Sequence, residues 1–120
     1  MDDFDCSNIE IRNSGSGDID IKDLVATEVV DIILSGSGDI VIYGKARKGI
    51  YSLSGSGNIE ADDFKVDHCE AANSGSGDIY CYVYDFLDAI ISGSGDIIYS
   101  GSPDEILFDD DGSGELRSRN

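Results

Sequence analysis

Apolar and polar residues alternate along much of this chain, in short runs that return at nearly even intervals. Ile19 and Ile21 flank Asp20; Ile59 and Ala61 flank Glu60; Ile79 and Cys81 flank Tyr80. A period of two predicts a strand with one buried face. An earlier run in each unit has the same character. It places Ile9 and Ile11, Val30 and Ile32, Gly49 and Tyr51, Cys69 and Ala71, Leu87 and Ala89, and Ile106 and Phe108 on an inward face. No segment sustains a helical period, and Pro103 is the one residue barred from a hydrogen-bonded ladder.

Between the two runs stands a nearly invariant hexapeptide. It reads SGSGDI at 14–19, 35–40, 74–79 and 92–97, SGSGNI at 54–59, and DGSGEL at 111–116. The starts are separated by 21, 19, 20, 18 and 19 residues. A period near 20 with no buried face complete in itself predicts stacked units. The composition of each unit (Ile, Val, Tyr, Ser, Gly, Asp) belongs to strands and turns, and the leucine and asparagine ranks of a leucine-rich repeat are missing. The chain therefore reads as all-β: a parallel β-solenoid of five to six rungs of about 20 residues, with SGSGD corners. Each rung carries two strands and a variable connection such as GKARKG at 44–49 or the segment 62–68. Residues 1–120 form one domain on this reading, with partial first and last rungs. At a strand spacing of about 4.8 Å the stack is roughly 25–30 Å long.

Twelve of the 15 glycines lie in the hexapeptides. Glycine there allows positive φ and lets backbones approach within the spacing of successive rungs, where any Cβ would collide with its copy in the next rung. The serines and the following Asp are suited to bonding backbone groups at the bend, and Asn58 replaces that Asp once. The second reading of the column Asp18, Asp39, Asp78 and Asp96 is a row of Ca²⁺ ligands. A single acid per rung, interrupted by Asn58, favours turn bonding over metal, and no other metal or cofactor site is indicated. A phosphate cradle is excluded: no Lys-Ser/Thr and no helix follow the glycines.

Charge narrows the partners. Twenty-five Asp and Glu face eight Lys and Arg, a formal net charge of −17. Such a surface repels nucleic acid and anionic membranes, so neither is an expected partner. No run of 18 apolar residues is present, which excludes insertion by an apolar helix, and MDDFDCSNIE at the start lacks the basic and apolar stretches of a signal peptide. Cys6, Cys69 and Cys81 are odd in number and have no C-x-x-C spacing; they read as buried free thiols.

Catalytic residues are not indicated. His68 is the single histidine, and its neighbour Cys69 points to the opposite face of any strand, which is poor geometry for an activated nucleophile. The connections are too short to wall a cleft. A binding face is better supported. Tyr80, Tyr82 and Tyr84 alternate with inward Ile79, Cys81 and Val83, and Tyr43 takes the rung position of Tyr82 two rungs away, with Asp62 between. Exposed aromatics beside carboxylates can stack on sugars and bond their hydroxyls.

The repeated SGSGDI, the stretch ISGSGDIIYSGSP at 91–103 and the final GSGEL at 112–116 resemble the head GIN domain family of auto-transporter adhesins. The likeness covers essentially the whole chain. It implies a single-stranded right-handed parallel β-helix in exported bacterial proteins, located in the periplasm, outside the cell or on its outer surface. Members commonly carry a longer N-terminal portion, so the chain reads as a shortened member. The function expected is adhesin-like binding of a glycan or protein at the cell surface, without catalysis. The alternative is a structural module that self-associates end to end through its uncovered rungs.

Overall fold

Stacking, not a turn-linked hairpin, accounts for the strand pairing: every neighbouring pair of strands is parallel. The computed structural model describes residues 4–118, and the side chains of residues 4–7, 23, 26, 27 and 110 lie outside that description. Its strands are β1 (Phe4–Asn13), β2 (Ile19–Leu34), β3 (Ile40–Leu53), β4 (Ile59–Asn73), β5 (Ile79–Ile91), β6 (Ile97–Ser100), β7 (Glu105–Asp110) and β8 (Leu116–Ser118). The order β1-β2-β3-β4-β5-β6-β8, with β7 also on β5, is that of an all-β solenoid of about six turns.

Both predicted inward columns are present. Ile19, Ile40, Ile59, Ile79, Ile97 and Leu116 stand in register, and so do Ile11, Ile32, Tyr51, Ala71, Ala89 and Phe108. Ile40, Ile59, Ile79 and Ile97 are fully buried. The two-strand rung is corrected. The supposed connections continue the strand around the coil, and they bury a third set of side chains: Leu24, Ala46, Phe64, Val66 and Val83. Ile106 and Phe108 register with buried Leu87 and Ala89 but are themselves 37% and 43% exposed, because no described strand covers β7 on its outer side.

Of the two roles expected of the corner glycines, close approach of the rungs is present and positive φ is not. Among the described glycines only Gly44 and Gly101 have positive φ, and neither belongs to a hexapeptide. The corner glycines serve close approach instead. A Cβ on Gly36, Gly55 or Gly75 would stand 2.0–2.1 Å from the carbonyl oxygen of the glycine below it. Those carbonyls accept from the rung above: Ser37 N–H donates to Gly15 O at 3.2 Å and Ser56 N–H to Gly36 O at 3.2 Å. Serine thus contributes mainly its backbone; among the corner serines, Ser74 also donates from Oγ to Leu53 O at 3.4 Å. Asn13 and Asn73 stand in register with Leu34, Leu53 and Ile91 and brace the first and fourth corners. Asn73 Nδ2 donates to Gly77 O at 2.8 Å, and its Oδ1 accepts from Gly75 N–H at 3.1 Å. That pairing lets an amide sit buried at a position that is otherwise aliphatic.

Candidate functional site

The acidic column is a hydrogen-bond ladder between rungs. Asp39 N–H donates to Asp18 Oδ1 at 2.9 Å, Asn58 N–H to Asp39 Oδ1 at 3.0 Å, and Asp78 N–H to Asn58 Oδ1 at 2.9 Å. Asp96 N–H and Glu115 N–H continue it onto Asp78 and Asp96 at 3.0 and 2.9 Å. Each side-chain oxygen accepts from the next rung, not from its own bend. Asn serves as well as Asp because only an acceptor is required. No group of three or more His, Cys, Asp or Glu among the described residues is placed to hold a metal ion.

Cys69 and Cys81 are buried and free, whereas Cys6 lies outside the described side chains. Burial pushes the Cys69 thiol well up, and its contact with Cys81 adds to the shift. Tyr51, also fully buried, has a hydroxyl without a hydrogen-bond partner among the described residues, and burial raises its pKa well above the ordinary value. These groups lie inside the coil, out of reach of a ligand. His68 faces outward and meets the edge of Phe86, ring centroids 6.0 Å apart. A recess of about 110 Å³ lies between Ile50, Glu70, Ala72, Asp88 and Ile90. That is well below the roughly 300 Å³ at which small-molecule pockets begin.

Of the outward tyrosines, Tyr43 and Tyr84 are 39% and 44% exposed, while Tyr80 and Tyr82 are half-buried. Tyr82 and Tyr84 meet edge to face, centroids 5.3 Å apart at 62°. Register separates the rest. Tyr80 pairs with Glu60, Tyr82 with Lys65, and Tyr43 with Asp63. The expected shared column of Tyr43, Asp62 and Tyr82 is therefore corrected. Between Ala61 and Lys65 the fourth rung holds residues 62–64, which the fifth lacks, and this insertion slides the ladder by a bend. Glu60, beside Tyr80, has its carboxyl pKa raised by partial burial and then by the charges of Asp39 and Asp62.

The same slippage assembles a site that the spacing of the hexapeptides does not reveal. Lys45 of β3 and Lys65 of β4 pair directly, and Lys65 pairs with Tyr82 of β5. Both lysines are exposed, and the Lys65 ammonium stands 5.5 Å from the Tyr82 ring centroid. Arg47 is exposed two residues beyond Lys45 with buried Ala46 between, so it shares the outer side of β3. Lys48, by contrast, is paired with Glu70 at 2.5 Å. One signal was available in the sequence: Lys45, Arg47, Lys48 and Lys65 are four of only eight basic residues.

Over residues 2–103 the chain matches the family described as "putative auto-transporter adhesin, head GIN domain". Among solved structures it is similar to a "putative adhesin" from Bacteroides fragilis, with a TM-score of 0.93 and 30% identity, over 98% of this chain and 54% of that one. It is also similar to a "putative lipid binding protein" from Parabacteroides distasonis, with a TM-score of 0.78 and 26% identity, over 98% of this chain and 58% of that one. The chain thus spans little more than half the length of these two proteins. No functionally curated protein matches it. The repeat, the stacked parallel strands and these likenesses agree, and the chain belongs to the head GIN domain family of auto-transporter adhesins.

Proposed function

We propose that this chain is a non-catalytic binding module of a bacterial surface or secreted protein, and that it takes a glycan on the outer side of β5. The observation that carries this reading is the Tyr82–Tyr84 pair, two rings held edge to face at 5.3 Å on the outer side of β5. An aromatic face with a hydroxyl tip stacks on the C–H side of a pyranose and bonds its hydroxyls. The family description and the B. fragilis neighbour support an adhesive role at the cell surface. The rigid ladder beneath the rings supports it too, since a platform already in place loses little entropy on binding. On a glycan array the native protein is expected to give discrete hits that Tyr82→Ala with Tyr84→Ala abolishes, with an unchanged β spectrum. Absence of hits, or hits that survive the double substitution, would overturn the reading.

A second reading has its own observation. Ile106, Leu107 and Phe108 on β7 are 37%, 54% and 43% exposed, an apolar rung with an edge that no described strand pairs. Such an edge suits addition of another copy end to end, which generates rods when the operation does not close. Light scattering is then expected to show mass rising with concentration, and Phe108→Lys to suppress the rise. A constant monomer mass at high concentration excludes stacking.

A further inference from the structure

We propose that the saccharide taken by this face is an acidic one, its carboxylate seated between Lys45 and Lys65 while a neighbouring ring lies on Tyr82. The inference rests on the glycan reading above and names the chemical class of the ligand. Lys45 and Lys65 are directly opposed on adjacent strands, an arrangement in which like charges destabilise a sheet. The chain has 25 carboxylates, enough to neutralise both. Yet among the described residues none stands within ion-pair distance of Lys45, Lys65 or Arg47; Lys22, elsewhere on the chain, is likewise without an ion pair, whereas Lys48, Arg12 and Arg117 have acidic partners. Three unpaired cations thus converge on one outer patch of a molecule with net charge −17.

An anion between the two ammonium groups relieves their repulsion and accepts charge-assisted hydrogen bonds from both. The Lys65–Tyr82 contact places that anion next to an aromatic platform. Uronic acids combine the two required features, a carboxylate on the ring and an apolar C–H face. The surrounding field sets a limit on charge density. Acidic groups beyond about 8 Å are screened at physiological salt, so a ligand with spaced single charges is accepted while a dense polyanion is repelled.

Titration calorimetry with an alternating uronic-acid oligosaccharide, its carboxyl-reduced neutral counterpart and anionic phospholipid vesicles tests this. The acidic oligosaccharide is expected to bind at least about tenfold tighter than the neutral one, a preference that fades with added salt. Lys45→Gln with Lys65→Gln should remove the preference and leave neutral binding, and Lys45→Arg with Lys65→Arg should keep it. Melting curves establish that the variants are folded. Equal binding of the acidic and neutral sugars, abolished by Tyr82→Ala with Tyr84→Ala, overturns the acidic inference and leaves the tyrosine reading standing. Binding of neither sugar overturns both. Lysine-dependent binding of the vesicles without binding of the oligosaccharide overturns the saccharide in favour of a lipid headgroup.

Discussion

Gly57→Ala is expected to cost this protein a large part of its stability, whereas Gly17→Ala, the same substitution at the same corner position, is expected to be nearly silent. A Cβ on Gly57 would stand 1.8 Å from Gly38 O and 2.7 Å from Gly38 C, both rigid backbone. Relief requires the two rungs to part at the corner. That motion breaks the bonds from Ser56 N–H and Gly57 N–H to Gly36 O and from Ile40 N–H to Asn58 O, and it pulls Asn58 N–H off Asp39 Oδ1. At about 1 kcal/mol for each bond the loss is roughly 3–4 kcal/mol. That is a large part of the 5–15 kcal/mol typical of a whole domain. Around Gly17 a new Cβ meets nothing within 4 Å, and φ is not in the left-handed region, so alanine there is expected to change stability by less than about 1 kcal/mol. Denaturant titration of the two variants checks the contrast. Equal midpoints would show that the repeat is not kept by the closeness of successive rungs.

Phe64→Ala should produce the next largest loss, about 3–5 kcal/mol in the same titration. Phe64 is fully buried and among the largest side chains of the core. It follows Gly44 in its column, a large group beside a position with no side chain. Neighbouring strands held in a ladder cannot collapse to refill the space, so a cavity remains. The same residue lies in the 62–64 insertion that brings Lys65 alongside Tyr82. Loosening it is therefore expected to weaken ligand binding together with stability, while Phe64→Leu should retain most of both. A Phe64→Ala protein as stable as the native chain would mean that the third inward column does not contribute to the core.

How much of this was legible beforehand depends on what repeats. The corners, the parallel stacking and the two columns at Ile40 and Ile32 were readable because identical residues recur at one spacing, and identical residues stacked in register need no knowledge of the bends between them. The third buried set was readable only at Val83, which alternates with the outward tyrosines of its own strand. Leu24, Ala46, Phe64 and Val66 were not readable, because they divide between two registers, Leu24–Gly44–Phe64 and Ala46–Val66–Val83, in the segments where rungs of 18 to 21 residues take up their length differences. The mechanism of the corner was half legible: of the two reasons expected for glycine, the clash of a Cβ with the neighbouring rung holds, and a left-handed backbone does not. The Asp column was expected to bond at its own bend, and only the stack shows that each side chain bonds the next rung.

The candidate site divides in the same way. Outward Tyr80, Tyr82 and Tyr84 follow from alternation with Ile79, Cys81 and Val83, a local property of one strand. Their neighbours do not. Tyr43 moves onto Asp63 because residues 61–62 oppose the single Ile42, and Tyr82 moves onto Lys65 because residues 62–64 have no counterpart in the fifth rung.

By itself, then, the amino-acid sequence determined the coil: a period of about 20 with glycine at each corner leaves stacking as the way to bury the isoleucines. Which outer residues become neighbours was decided only in the tertiary structure. Side-chain direction along a strand is set by the chain's own alternation, whereas contact across strands depends on how each bend absorbs its extra residues. Lys45, Lys65 and Tyr82 meet for that second reason, and the binding chemistry proposed for this protein lies where they meet.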